Sequence, residues 1–411
     1  MPLGYDIGTG LYHLGIRAAA PFNPKARKWV QGRVGLWQRL QEKAPHLQGC
    51  LWLHCSSLGE FEQGRPVLEE LRRQRPGMPV LLTLFSPSGY EVLKDRPVAD
   101  HVEYLPPDGA GNARRLLDLI RPKASLFVKY EFWYHYLDQL AKHGVPAFLI
   151  SARFRPEQPF FKWYGGTHRS MLKAFRHIFT QDERSVELLR SIGLTNITQS
   201  GDTRFDRVAQ ILEKNEELPL AKLFREGVDG PVLICGSTWP EDEAVLLPAL
   251  SRLKRMPALI VAPHELEGSR IQQLAGKIPG PVSFWSRNEI IPGSRTLIID
   301  VIGPLARAYK YGDVAYVGGG FVDGIHNLLE AAAWGKPVIF GPNHQKFTEA
   351  QGLMDAGAGS SIKNSVELLA VLEKLLSDPA YYAKSGAAGS EYVLRNVGAA
   401  AATSGEILGM M

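Results

Sequence analysis

The sequence predicts an α/β protein made of two tandem Rossmann-like domains with a cleft between them, and three observations predict it. The chain has 411 residues, more than one hydrophobic core usually organises and enough for two domains of roughly 150 to 200 residues. Apolar strand-like runs alternate with helical stretches in two series, the rhythm of parallel sheets covered on both faces. The segment 313–342, DVAYVGGGFVDGIHNLLEAAAWGKPVIFGP, reads as strand, glycine turn, helix and second strand, a βαβ unit suited to a nucleotide.

In the first series the runs 51–54, 80–85, 125–128, 147–150 and 177–180 read as strands, separated by helices such as 64–74 and 110–120. A break follows at 207–230, where charges, Pro219 and the Gly227/Gly230 pair predict a helix and a hinge. The second series has strands at 232–235, 258–262, 282–285, 296–300, 314–317 and 338–340. The expected division is therefore an N-terminal arm at 1–45, a first Rossmann-like domain at 46–206, a linker at 207–230, and a second such domain at 231–411 whose last helix is able to return to the first. Ligands of open α/β sheets sit outside the carboxyl ends of the strands, so the chemistry is expected in the loops that follow them.

Composition narrows the class. Hydrophobic residues make up 45% and charged residues 22%, near the average for globular proteins, which excludes a disordered chain. Cys50, Cys55 and Cys235 are odd in number and form no CxxC or Cys/His cluster, so neither disulfides nor a zinc site are expected, and a reducing cytoplasm fits best. No run of eighteen apolar residues exists to span a bilayer, and the layout of a signal peptide is absent. The net charge of +5 is modest, and no nucleic-acid partner is expected. The charge is concentrated near the start, where Arg17, Lys25, Arg27, Lys28, Arg33, Arg39 and Lys43 face only Asp6 and Glu42. Ahead of them Ile7, Leu11, Leu14 and Ala18 recur at helical spacing, with Tyr5, Tyr12 and Ile16 nearby. This is a membrane-associating amphipathic helix with a basic arm, or a helix packed on its own domain with a solvated basic edge.

The strand-end loops carry the candidate chemistry. After the first strand, His54-Cys55-Ser56-Ser57-Leu58-Gly59-Glu60 makes a compact turn that delivers Glu60 to a helix start, as a base or as an acidic complement to the helix dipole. Cys55 stands at the first glycine position of GxSxG, so an esterase elbow is not met. Ser86-Pro87-Ser88-Gly89-Tyr90 offers short donors for an anion, or a plain turn. Lys129-Tyr130-Glu131-Phe132-Trp133 sets a second carboxylate beside aromatic bulk, where a buried charge must be paired. Ser151-Ala152-Arg153 opens a loop of cations and aromatics through Tyr164, a surface for an anionic amphiphile or ordinary packing.

In the second half Ser237 and Thr238 follow Gly236 and can reach a phosphate, while Pro263-His264 ends the next strand where a ring or backbone edge can meet a base. In 313–342, Gly318, Gly319 and Gly320 permit close backbone approach, the helix is expected over 327–334, and Glu330 near its first turn can accept ribose hydroxyls. The fingerprint GxGxxG fails at Asp323 and no GxxxxGK[ST] loop occurs, which disfavours NAD and ATP-type sites. No DxD pair calls for a metal.

Taken in order, WLHCSSLGE, LLTLFSPSGYE, VKYEFW, ISARF, TQDE, SGDTRFD, CGSTWPEDE, VAPHE, YVGGGFVDGIHNLLEAA and GKPVIFGPN resemble the 3-deoxy-D-manno-octulosonic acid (Kdo) transferases of lipid A assembly, a GT-B glycosyltransferase family, over nearly the whole chain. The resemblance implies metal-independent, cofactor-free transfer of Kdo from CMP-Kdo to a lipid A precursor with inversion, in an enzyme peripheral to the cytoplasmic face of the inner membrane. It makes the first domain the acceptor-binding one and the second the CMP-Kdo-binding one. By position Glu60 matches the proposed catalytic base and Glu131 a second acid. Glu330 matches the ribose-binding glutamate, with Asn327, Gly319, Gly320, Ser237 and Thr238 around the phosphate and Pro263 and His264 on the donor. Ser57, Gly59, Ser86, Ser88, Gly89 and Arg153 fall on the acceptor or anion side. Lys129 stands where many members have glutamate, Tyr134-His135 replaces Pro-Asn, and the arginine usual between Pro263 and His264 is missing. The alternatives are a GT-B enzyme using a UDP-sugar, as glycosyltransferase or epimerase, and a non-catalytic lipopolysaccharide- or nucleotide-sugar-binding protein.

Overall fold

A computed structural model describes residues 3–411, and these divide into two compact units. The first ends at Arg207 and takes in Gly398–Met411, and the second is Val208–Val397.

The first unit opens with three helices, α1 (Leu3–Ala19), α2 (Pro24–Gly32) and α3 (Leu36–Leu47), and then alternates strands and helices. These are β1 (Leu51–Cys55), α4 (Leu58–Gln74), β2 (Val80–Leu84), α5 (Pro87–Leu93), β3 (His101–Tyr104), α6 (Ala110–Ile120) and β4 (Ala124–Val128). There follow α7 (Tyr134–Lys142), β5 (Ala147–Ala152), α8 (Gly166–Lys173), β6 (His177–Thr180), α9 (Glu183–Ser191), β7 (Ile197–Gln199) and the start of α10 (Thr203–Lys214). The seven strands are parallel in the order β3-β2-β1-β4-β5-β6-β7. Central strands such as LWLHC and VLLTL are buried along their whole length because helices cover both faces, so they read as continuous apolar runs. Leu51, Leu53 and Cys55 pack on one face with Phe61, Leu68 and Leu71 of α4, while Trp52 packs on the other with Leu40 of α3 and Leu117 of α6.

The second unit continues through α11 (Pro219–Glu226), β8 (Val232–Thr238), α12 (Pro240–Arg252), β9 (Ala258–Pro263), α13 (Gly268–Lys277), β10 (Val282–Phe284) and β11 (Thr296–Ile298). It is completed by α14 (Leu305–Ala308), β12 (Val314–Val317), α15 (Leu329–Ala333), β13 (Val338–Phe340), α16 (Thr348–Asp355), β14 (Gly359–Ser361), α17 (Ser365–Ser377) and α18 (Pro379–Arg395). Its parallel sheet runs β10-β11-β9-β8-β12-β13-β14. The last helix, α19 (Ala399–Met410), packs on α4 of the first unit, to which it belongs.

Several elements differ from the sequence reading. The strands β3, β7 and β14 had no apolar signature. All three are edge strands, two are only three residues long, and β3 carries the buried Glu103, held by Arg39 at 2.6 Å. The segment 207–230 holds the end of α10 and all of α11, where one helix was expected. The second, α11, buries Leu220, Ala221 and Phe224, and the Leu218 N–H donates to the Tyr311 hydroxyl at 2.8 Å. The helix expected over 327–334 is the single turn α15, too short to carry much of a macrodipole.

The basic arm is only partly exposed. Arg33 lies over the rings of Trp29 and Tyr104, 3.8 and 4.4 Å from their centroids, and burial pulls its guanidinium down to about 9. Arg39 is taken by Glu103. In α1 the usual arrangement of an amphipathic helix is reversed. Tyr5 and Asp6 turn inward, bonding Asp108 at 2.6 Å and His135 at 2.5 Å, while Leu3, Ile7, Leu11 and Leu14 are 73, 54, 64 and 62% exposed.

Candidate active site

In each sheet the chain runs outward from one central strand and then returns to its other side, so a switch point lies between β1 and β4 in the first unit and between β8 and β12 in the second. The strand ends at such points leave the crevice in which open α/β sheets bind ligands. The predicted acids fall there. Glu60 follows β1 in the first turn of α4, and Glu131 follows β4.

Ser57 caps α4 by accepting from the Glu60 N–H at 3.4 Å, and the Glu60 carboxylate turns back to accept the Ser56 N–H at 2.5 Å. Burial and the neighbouring charge of Glu131 push Glu60 up to about 7, against the opposing pull of the Ser56 N–H and of Lys129. Glu131, 5% exposed, accepts from His54 Nε2 at 2.9 Å and from Trp133 Nε1 at 2.6 Å. Burial would raise it, but those donors and the His54 charge hold it below the ordinary carboxylate range. His54 is in turn fixed through Nδ1 by Thr83, 2.9 Å from its Oγ1 and 3.1 Å from its carbonyl, and Thr83 Oγ1 receives Trp52 Nε1 at 2.8 Å. The surroundings of the two carboxylates drive their pKa values apart, the arrangement from which an acid and a base can be made. Glu131 stays an anion and Glu60 is poised near neutrality, where general-base catalysis is most effective.

Around them Lys129 and Ser151 have φ of 64° and 52°, left-handed conformations that cost a side-chain-bearing residue about 1 kcal/mol and gather at functional strand ends. Ser86 caps α5 and bonds Ser88 Oγ at 2.9 Å. Gly89 is a packing residue, since a Cβ there would meet the Leu58 nitrogen at 3.0 Å, and this brings the starts of α4 and α5 together. Gly59 is exposed, with open space where a Cβ would stand. Arg153 pairs with Asp182 at 3.2 Å. Of the aromatic loop after it, Phe154 and Phe160 enter the core and Trp163 is 92% exposed.

In the second unit the end of β8 and the glycine segment after β12 are tied by Asp242, fully buried in the first turn of α12. Its Oδ2 accepts from the N–H groups of Gly319 at 2.8 Å and Trp239 at 2.9 Å, and its Oδ1 from the Tyr316 hydroxyl at 2.8 Å. The Gly319 N–H is thus engaged within the protein. Thr238 is also turned inward, its hydroxyl donating to Glu243 at 3.4 Å, whereas Ser237 is half-buried at a φ of 54°. A Cβ on Gly320 would come within 2.6 Å of Gly341, so this glycine lets two loops touch. Asn327 Nδ2 donates to Glu330 Oε1 at 3.0 Å and its Oδ1 caps Leu329 N at 3.1 Å, so Asn327 orients Glu330. Pro263 ends β9, and the exposed His264 ring stacks 4.5 Å from both Trp239 and His326. Trp239 Nε1 donates to His326 Nε2 at 3.2 Å, and burial lowers His326 to about 4.

Sequence reasoning assigned no role to His54, Thr83, Asp242, Trp239 or His326. Polar residues inside otherwise apolar strands, as in LWLHC and VLLTL, are the signal that would have found the first two. Among the described residues no group of three or more His, Cys, Asp or Glu is arranged to hold a metal ion.

A family model described as 3-deoxy-D-manno-octulosonic-acid transferase (kdotransferase) matches residues 28–207. The 3-deoxy-D-manno-octulosonic acid transferase of Aquifex aeolicus is 30% identical over 344 residues, 82% of this chain and 89% of the relative. The chain belongs to the Kdo transferase family. A Kdo transferase from Bordetella pertussis is 27% identical over 407 residues, 91% of this chain and 92% of its own. As a member of this family the chain is a glycosyltransferase acting in lipopolysaccharide biosynthesis. Among solved structures, the UDP-GlcNAc 2-epimerase of Neisseria meningitidis superposes with a TM-score of 0.62 at 17% identity, covering 86% of this chain and 98% of that one. The Methanocaldococcus jannaschii UDP-GlcNAc 2-epimerase gives 0.55 at 15% identity, covering 84% and 98%. At such identities the likeness bears on fold alone, and it is that of two Rossmann-like domains of the GT-B kind.

Proposed function

We propose that this Kdo transferase takes Kdo from CMP-Kdo and joins it, with inversion at the anomeric carbon and without a metal, to the glucosamine disaccharide of a lipid A precursor. The observation that carries the reading is Glu60, a carboxylate raised to about 7 at the switch point of the first sheet. The acceptor hydroxyl attacks the anomeric carbon and gives its proton to Glu60, while the bond from that carbon to the phosphate oxygen breaks and CMP departs with the electron pair. A positioned base contributes a factor of about a hundred to ten thousand. Glu131 holds His54 and keeps Glu60 protonatable by its charge. In the second unit Glu330, oriented by Asn327, accepts the ribose hydroxyls, Ser237 and the backbone near Gly320 face the phosphate, and the exposed His264 ring beside Trp239 offers the base a stacking surface.

The enzyme would work from the cytoplasmic face of the inner membrane. No helix among the described residues is long and apolar enough to cross a membrane, and the outward stripe of Leu3, Ile7, Leu11 and Leu14 supports a helix lying in the interface. Incubation with CMP-Kdo and a tetra-acylated lipid A precursor should yield a product heavier by one or more Kdo residues. An unchanged precursor refutes the reading, and thermal protection by UDP but not CMP points to a UDP-sugar enzyme.

A further inference from the structure

The inward face of α1 borders an open cavity of about 310 Å³ lined by Asp6, Thr9 and His13 of α1, Asp108 and the start of α6 at Gly109 and Ala110, and His135 of α7. All of it lies in the first unit. Its polar groups are unevenly matched. Asp108 is 7% exposed and its Oδ2 is satisfied, by the Tyr5 hydroxyl at 2.6 Å and the His135 N–H at 3.3 Å. Its Oδ1 is buried without a hydrogen-bond partner, and an acceptor in that state costs about as much as a lost hydrogen bond. Asp6 receives His135 Nε2 on Oδ1. The Thr9 hydroxyl spends its proton on the carbonyls of Tyr5 and Asp6, 3.0 and 3.2 Å away, which leaves its lone pairs as acceptors. Burial and the charges of Arg33 and Arg17 lower His13.

Burial raises Asp108 and Asp6 is already bonded by His135, so the lining leaves Asp108 Oδ1, the Asp6 carboxylate and the Thr9 hydroxyl as acceptors for a ligand that donates. A primary ammonium has three N–H donors and one charge. Next to Asp108, α6 begins at Gly109 with no side-chain cap, so its first N–H groups suit an anion. A group with an ammonium and a phosphate two carbons apart can engage both features. The outward face of the same helix is the exposed stripe of Leu3, Ile7, Leu11 and Leu14, along which acyl chains can lie. Tyr134, beside His135, gives its N–H to the Tyr5 hydroxyl at 3.2 Å.

We propose that this cavity is a binding site for the headgroup of an aminophospholipid, phosphoethanolamine in chemical type, which seats α1 on the bilayer. The proposal rests on the membrane-binding reading of α1 and deepens it. The ammonium takes Asp108, Asp6 and Thr9, and the phosphate takes the start of α6.

The test uses the full chain and vesicles with a constant fraction of phosphatidylglycerol, the remainder being phosphatidylethanolamine, its N-methyl and N,N-dimethyl forms, or phosphatidylcholine. Methylation keeps the charge and removes the donors one at a time. Cosedimentation should weaken stepwise, by about tenfold over the series, the factor expected for losing charge-assisted hydrogen bonds. Asp6→Asn and Thr9→Val should each flatten that dependence while leaving binding to phosphatidylcholine vesicles unchanged. Asp108→Asn should do the same, and the two α1 variants keep the test open if it fails to fold. Equal binding across the series overturns the headgroup site while leaving α1 as a membrane helix. Binding to none of the vesicles overturns the membrane reading itself.

Discussion

Replacing Glu60 by glutamine should stabilise the protein at alkaline pH while it removes transfer activity. A carboxyl moved from 4.5 to about 7 corresponds to about 3 kcal/mol at 1.36 kcal/mol per tenfold, and partial exposure of the side chain reduces this to about 1 to 3 kcal/mol. Because the folded pKa is raised, the folded state holds its proton more tightly than the unfolded chain. The contribution of Glu60 to stability is therefore fully present below pH 4.5, falls as pH rises, and is lost once pH passes about 7. Glutamine cannot ionise and its carbonyl oxygen still accepts the Ser56 N–H, so Glu60→Gln escapes that loss. Urea midpoints of the two proteins should coincide near pH 4 and separate by pH 8 in favour of the variant. The wild-type kcat/KM should rise about tenfold per pH unit until it levels near pH 7, and the variant should lose a factor of about a hundred or more. A stability difference that does not change between pH 4 and 8, or an acid limb at the ordinary carboxylate value, would refute the environment assigned to Glu60.

Lys129 lowers Glu60 through its charge, so Lys129→Met should move the acid limb of kcat/KM to higher pH; an unmoved limb means the two groups do not interact. Gly320→Ala places a Cβ 2.6 Å from Gly341 and should destabilise by about 1 to 3 kcal/mol and weaken CMP binding. Gly59→Ala, with open space around it, should change stability by less than about 0.5 kcal/mol; calorimetric melts of both variants check the contrast. Leu11→Ser with Leu14→Ser should reduce vesicle binding without lowering the melting temperature, since both side chains are more than half exposed. A parallel loss of stability would mean that the stripe packs inside the protein.

The two-sheet architecture was legible because the central strands of a doubly covered parallel sheet are apolar along their whole length. The same rule hid the edges. GSS at 359–361 pairs only with β13, and nothing in its composition marks a strand. Glu60 and Glu131 were legible as acids at strand ends, but their different characters were not, because Glu131 is held by His54, 77 residues away, and His54 in turn by Thr83. Gly319 was legible as a glycine of close backbone approach, but the bond from its N–H to Asp242, 77 residues away, was not. The apolar periodicity of α1 identified an amphipathic helix without fixing which side faces the protein. That depends on Tyr5 and Asp6 finding Asp108 and His135 more than a hundred residues on.

The central claim divides labour between an acid of the first unit and a nucleotide site of the second. Calorimetric titration of CMP into Glu60→Gln and Glu330→Ala, with single-turnover transfer measured on the same samples, tests it most directly. The account predicts that Glu60→Gln binds CMP as the wild type does and scarcely turns over, while Glu330→Ala binds CMP about tenfold or more weakly for the lost charge-assisted hydrogen bonds. Undiminished transfer by Glu60→Gln, or undiminished CMP affinity in Glu330→Ala, would contradict it.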